Sequence, residues 1–320
     1  MDLIFTDSQR VEVGVFPAYA LDLSFGAKEN DFEITLADDY LLEYGAYIYF
    51  EGTEYGGIVD GLKARTDSRT ITYCGRTWHG MLNSKVIEPD SGAAYLTVSG
   101  EANEVIGAVL TRLGLDDLFT ASETASGITI SNYQFARYIK GYDGLAAMLK
   151  ANGAKLKLSW ENKKVLLSAE PVRDYRETPL DDDDAVLDIE RYQKTVNHLI
   201  CLGKGELTER QIVHLYTDES GNIGTQQYYT GVDEITDIYE NVNAEDITEL
   251  TEGGEERFAT LRSKDKAEVS VPEIDGIVYD IGDIVGARHL ITGISVSATI
   301  SQKIVKIQNG SVKIEHQAGG

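Results

Sequence analysis

Apolar and polar positions alternate with a period of two through much of the first third of the chain. Asp31–Leu36 (DFEITL) puts Phe32, Ile34 and Leu36 on one face and acidic or hydroxyl side chains on the other, as a strand with one wet face should. Tyr47–Glu51 and Glu54–Asp60 flank Gly52-Thr53, a hairpin signal. Arg69–Cys74 follows a polar turn at Thr66–Ser68. The stretch Ile71–Pro89 (ITYCGRTWHGMLNSKVIEP) reads as a strand ending at Gly75, a short turn or helix carrying Trp78 and Leu82, and a segment leaving toward Pro89. Several short strands at close spacing predict a small barrel or sandwich over residues 1–95.

Near Gly100 the period lengthens. Glu104–Leu113 places Val105, Ile106, Val109, Leu110 and Leu113 on one helical face, and Gly114 stops it. A second helix is predicted over Asp143–Ala151, with Leu145, Met148 and Leu149 inward, Asp143 as its cap and Asn152-Gly153 as its end. Strands Lys155–Trp160 and Lys164–Ala169 follow, joined by Glu161-Asn162-Lys163. Residues 96–180 therefore read as an α+β insertion. Strands resume at Val186–Tyr192 and Val196–Leu202, and Gln211–Thr217 and Gly224–Tyr229 flank turn chemistry at Asp218–Asn222. A polar helix over Ala244–Leu261 is interrupted on paper by Gly253-Gly254. Ile291–Val296, Lys303–Gln308 and Ser311–His316 close the chain as strands, the last two joined by Asn309-Gly310, a type I′ turn signal. The expected class is α+β, mainly β. A second β domain is split between residues 181–205 and 262–320, with 206–261 inserted as a hairpin plus helix.

Composition sharpens this picture. The chain has 320 residues, 18 Tyr against 8 Phe, 31 Gly and only 5 Pro, which suits half-wet strands better than a helical bundle. Its net charge of −24 argues against tight nucleic-acid binding, because affinity there comes from neutralising phosphates with Lys and Arg. The same charge argues against stable binding to an anionic membrane. No run approaches the roughly 18 apolar residues of a membrane span. MDLIFTDSQR has an acid at position 2 and no long apolar run, so no secretory signal is expected. Cys74 and Cys201 both lie in apolar strand-like runs and read as buried thiols rather than a bridge.

Candidate chemistry is sparse. The histidines at 79, 198, 214, 289 and 316 make no HExxH, HxxxH or CxxC spacing, and His198 and His214 read as satisfied strand residues. No GxSxG, GxxxxGK[ST] or GxGxxG motif occurs. With 53 acidic residues, a carboxylate pair means nothing without geometry. Asp181–Asp184 and Asp218–Asn222 invite a calcium reading, but neither follows the EF-hand loop, and solvated turns are the expectation. No catalytic, cofactor or metal site is expected, and the chain reads as a non-enzyme.

Several segments, in order, resemble phage tail hub proteins of siphophages and contractile particles. They are the strand pattern through Asp31-Phe32-Glu33, the break at Gly75–Pro89, Tyr142-Asp143-Gly144-Leu145 through Ala169, Val196–Gly203 (VNHLICLG), Tyr216–Gly221 and Tyr229-Thr230-Gly231. The resemblance implies two tail-tube-like β-barrels per chain, with the inserted modules on the outside. It implies a homotrimer presenting six barrels in a ring, between a tail tube or distal tail ring and a trimeric spike or tip protein, around a DNA conduit. It places the chain in a virion tail, after synthesis in the bacterial host cytoplasm. On that reading, strand edges near Asp31–Leu36 and Lys303–His316 carry trimer contacts, with Ile304 and Ile307 as probes. Two other readings compete. One is a tail-associated cell-wall hydrolase, which needs an acid pair or zinc ligands in one cleft. The other is a carbohydrate- or receptor-binding tail module, which Trp78, Trp160 and the tyrosines encourage.

Overall fold

A computed structural model describes residues 2–37, 41–65, 67, 70–181, 183–190, 195–262, 266–274, 276–308 and 310–319. The chain divides into two units, residues 1–187 with 268–320, and residues 188–267.

Alternation builds the larger unit. In strand Asp31–Ala37, Phe32, Ile34 and Leu36 are buried; in Ala20–Gly26, Leu21, Leu23 and Phe25 are. Among the described residues the main sheet has thirteen strands, curled into a half-barrel. Its path runs from Val186–Glu190 through Lys266–Pro272, Ser311–Gly319, Ser295–Gln308, Ala20–Gly26, Asp31–Ala37, Thr70–Thr77, Gly56–Arg65, Tyr47–Tyr49 and Ile4–Thr6 to Glu12–Val15. Asp174–Leu180 and Ile284–Arg288 branch from it beside Ser295–Gln308. The closing hairpin pairs down to Gln308↔Ser311, with Gly310 at φ +77°. Asn309 lies outside the described residues.

The β-rich ends are not separate sheets. Ser295–Gln308 pairs antiparallel with Ala20–Gly26, so residues 20–77 and 266–319 share one continuous sheet. Two cores still lie along it. One gathers Leu23, Phe25, Phe32, Ile34 and Tyr73 with Val305 and Ile307; the other gathers Leu180, Val269, Val271, Val285 and Ile300. The edges expected at residues 31–36 and 303–316 are interior strands, paired on both sides. The path instead ends at Glu12–Val15 and Val186–Glu190. Ile307 faces the core and Ile304 the opposite side, as strand alternation requires.

Four α-helices are described. α1 (Trp78–Asn83) is capped by Thr77, whose Oγ1 accepts from the Gly80 N–H at 3.3 Å. α2 (Ala102–Arg112) is capped by the Glu101 carboxylate, which accepts from the N–H groups of Asn103 and Glu104, and Gly114 at φ +66° follows it. α3 (Gly141–Ala151) has Lys140 as its N-cap, so Asp143 is a first-turn acid facing the helix dipole rather than the cap. α2 and α3 pack with strands Phe119–Ala121, Lys164–Pro171 and Ala154–Glu161 around a core that includes Trp78, Leu145, Met148 and Trp160.

The smaller unit is a four-stranded sheet, Ile223–Gly224, Ile212–Thr217, His198–Leu202 and Thr236–Glu240, packed on α4 (Ile247–Arg262). Strand His198–Leu202 was expected in the second barrel and belongs here instead. It pairs antiparallel with Ile212–Thr217 and parallel with Thr236–Glu240. The expected strand at 291–296 starts only at Ser295, because Gly293 at φ +69° turns the chain.

Candidate functional site

Strands and turns far apart in sequence deliver five charged side chains to one buried place in the larger unit. Lys303 Nζ donates to Glu54 Oε1 at 2.6 Å and approaches Asp280 Oδ1 at 3.4 Å. Lys155 Nζ donates to Asp280 Oδ2 at 3.0 Å and to Asp283 Oδ1 at 2.7 Å. Asp283 is fully buried, and its two oxygens also accept from the backbone N–H groups of Arg173 and Asp280. Burial works against the charge on Lys303, but Glu54, Tyr55 and Asp280 hold its pKa above the usual lysine value. Burial also raises Asp280, but Lys303 and Lys155 outweigh it and bring its carboxyl below the ordinary range. Every charge here has a partner, and removing one would leave another buried and unpaired. The network clamps together the Tyr47–Tyr49/Gly56–Arg65 hairpin (Glu54), the insertion (Lys155) and the closing β segment (Asp280, Asp283, Lys303).

Two neutral histidines flank the clamp. His79 stacks on Phe25 at 4.3 Å; burial, helped by Lys303, pushes its pKa down to about 3. His316 packs against Tyr279, and burial followed by Lys303 lowers it to about 4. Neither Nδ1 has a hydrogen-bond partner. Beside them, Trp78 stacks between Tyr47 (6.1 Å) and Trp160 (5.1 Å), and Tyr49 stacks on Trp160 at 4.3 Å. Both tryptophans are fully buried, so neither forms an exposed sugar-binding platform.

The clamp left one signal in the sequence. Lys303, Val305 and Ile307 share the inward face of their strand, which puts a lysine where alternation calls for an apolar residue.

The smaller unit holds a second polar array. His198 Nδ1 donates to Glu234 Oε1 at 2.7 Å, and His198 Nε2 lies 2.8 Å from His214 Nδ1. Tyr216 stacks on His198 at 4.3 Å. The two histidines expected to be satisfied strand residues are brought together as the two ends of one hydrogen bond. The array lies on the sheet face turned away from α4, beside Ile200, Ile212 and Ile238.

The remaining candidates are structural. Asp181 accepts backbone N–H bonds in a turn just before the chain leaves the larger unit, and Asp182 lies outside the described residues. The side-chain and backbone N–H groups of Asn222 hold the Asp218 carboxyl below its usual range at a hairpin tip. His289 bonds to Thr292 in an exposed turn. Cys74 is half-buried and Cys201 buried, both free; burial pushes the Cys201 thiol up to about 11. Among the described residues, no helix is long and apolar enough to cross a membrane.

No protein-family model matches the chain, and no curated protein matches it. Solved structures do match. A 43 kDa tail protein of prophage MuSo2 from Shewanella oneidensis superposes with a TM-score of 0.56 at 14% identity, over 99% of this chain and 97% of that one. A component of the phage P2 baseplate in its activated conformation gives 0.55 at 11% identity, over 99% and 98%. This chain has the fold of a phage tail protein. Prophage tail protein gp18 from Listeria monocytogenes gives 0.50 at 14% identity, over 99% and 94%. The tail-protein fold therefore spans the continuous sheet, the α+β insertion and the smaller unit alike.

Proposed function

We propose that this chain is a structural hub of a phage or phage-derived tail. It would assemble as a homotrimer that joins a sixfold tube or distal tail ring to a threefold spike or tip, and its channel would form part of the DNA conduit. The observation that carries this reading is full-length similarity to tail and baseplate proteins, 99% of the chain against 97% and 98% of theirs. Fold alone does not fix function, but the molecule's own features agree. Its five-charge buried network is a clamp between segments, which suits a rigid assembly part. Two cores along one sheet supply two wall segments per chain, and three chains then give the six a ring needs. The net charge of −24 favours a channel that does not trap passing phosphates. In this role the chain is not an enzyme.

Mass measurement in solution tests the reading. The hub reading expects trimers of about 106 kDa, three times the 35.2 kDa chain mass. A monomer that stays monomeric in the presence of its tail-ring neighbour overturns it.

A further inference from the structure

The hairpin of Ile284–Arg288 and Ser295–Gln308 carries an apolar hollow at its root and an apolar knob at its tip. At the root, where Ile284 pairs with Thr299, the strands and α3 border an open groove of about 430 Å³. Ala146 and Ala147 of α3 face Leu156, Ile281, Ile284 and Ile300 across it. All but Ile300 are half-buried, so the hollow is lined by apolar carbon that water still reaches. Asp143 and Lys150 mark its two ends on α3, seven residues and about 10 Å apart.

At the tip, Ile291 is 89% exposed. A single exposed apolar side chain is ordinary, but this one stands on an ordered turn. The His289 N–H donates to the Ile294 carbonyl at 2.9 Å, and the Gly293 N–H to the His289 carbonyl at 2.9 Å. His289 Nδ1 accepts from the Thr292 N–H at 3.3 Å, and Gly293 takes φ +69°. A knob already held in shape loses little freedom when it is buried. It cannot fill its own groove. Arg288, where the pairing stops, stands four residues and about 13 Å beyond Ile284 along a paired strand.

We propose that Ile291 of one chain seats in the α3 groove of a second copy. Charge gives the contact a direction. Arg288 is exposed beside the knob and Asp143 half-buried at one end of the groove, and among the described residues neither has an ion-pair partner. Arg288 of the incoming chain meets Asp143. Two different surfaces join, so the contact is head-to-tail and closes into a ring; that the ring holds three chains rests on the hub reading.

The test is sedimentation of the full chain over a concentration series. Self-association is expected in the intact chain. Ile291→Asp, which spoils the knob, and Ala147→Lys, which spoils the groove, should each weaken it about 10- to 100-fold, with the parent's thermal midpoint. The two variants mixed should restore one contact, Ile291 of the second in the groove of the first, and give dimers of twice the 35.2 kDa chain mass without larger rings. Dimers in the mixture but in neither variant alone identify a head-to-tail contact at these two surfaces. The proposal fails if the intact chain stays monomeric throughout, if Ile291→Asp associates as the intact chain does, or if the mixture stays monomeric. A trimer indifferent to Ile291→Asp overturns this contact and leaves the hub reading standing. If the groove takes a different protein, the chain alone is monomeric and Ala147→Lys blocks capture of the tail-ring neighbour, which also overturns it.

Discussion

At the residue scale, the clamp and its two neutral histidines make stability depend on acid in a defined window. Unfolded imidazoles take up protons near pH 6.5. In the fold, His316 does so only near 4 and His79 near 3. Between pH 6.5 and 5 the unfolded chain therefore binds more protons, so stability falls as the pH drops. The stability these groups contribute is complete above pH 6.5. Each histidine costs about 1 kcal/mol per pH unit in that window. His79→Phe keeps the stacking on Phe25 and is expected to halve the slope measured by urea unfolding. An unchanged slope would mean that His79 is not desolvated as described. The sequence located these histidines but not their neighbours, because burial and charge contacts arise between segments hundreds of positions apart.

At the element scale, most helices and hairpins were legible because periodicity and turn chemistry agree locally. Asn162 and Lys163 both take positive φ in the 161–164 turn, which closes the hairpin read from the chain. The misreading was Gly253-Gly254, where helix propensity pointed to a break. α4 runs straight through it. The pair is there for close approach. A Cβ on Gly254 would lie 2.5 Å from Cys201 Sγ and 3.1 Å from Leu215, both fixed in the core beneath. One on Gly253 would meet only the Tyr239 hydroxyl at 2.6 Å, the far end of a ring that can swing aside. Glycine to alanine gains about 1 kcal/mol of helix propensity at either position. At 254 overpacking costs about 1–3 kcal/mol and wins. Thermal unfolding should therefore rank Gly253→Ala at or above the parent and Gly254→Ala below it.

At the scale of the whole molecule, pairing was the part least visible in the sequence. Alternation says that a strand has an inside, not which strand lies beside it. Ala20–Gly26 and Ser295–Gln308 meet across nearly the whole chain length, and nothing local announces it. The true ends of the sheet matter most for assembly. Val11, Val13 and Val15 line the outer face along Glu12–Val15, at 58%, 61% and 47% exposed. A strand like this on a soluble chain is a hazard unless a partner covers it. Under the hub reading, Val13→Lys should give monomers whose thermal midpoint matches the parent. A trimer that tolerates the lysine would move the contact elsewhere.

The chain leaves the larger unit after Leu187 and returns at Glu268, through strands that lie side by side in the main sheet. The eighty residues between therefore leave from and return to neighbouring strands of that sheet. Closing such a gap with a short flexible loop costs little entropy. Replacing residues 191–265 with a short Gly/Ser loop should leave the rest of the protein folded, read by an unchanged near-ultraviolet spectrum from Trp78 and Trp160. The same geometry lets evolution exchange this piece without rebuilding the sheet that carries it.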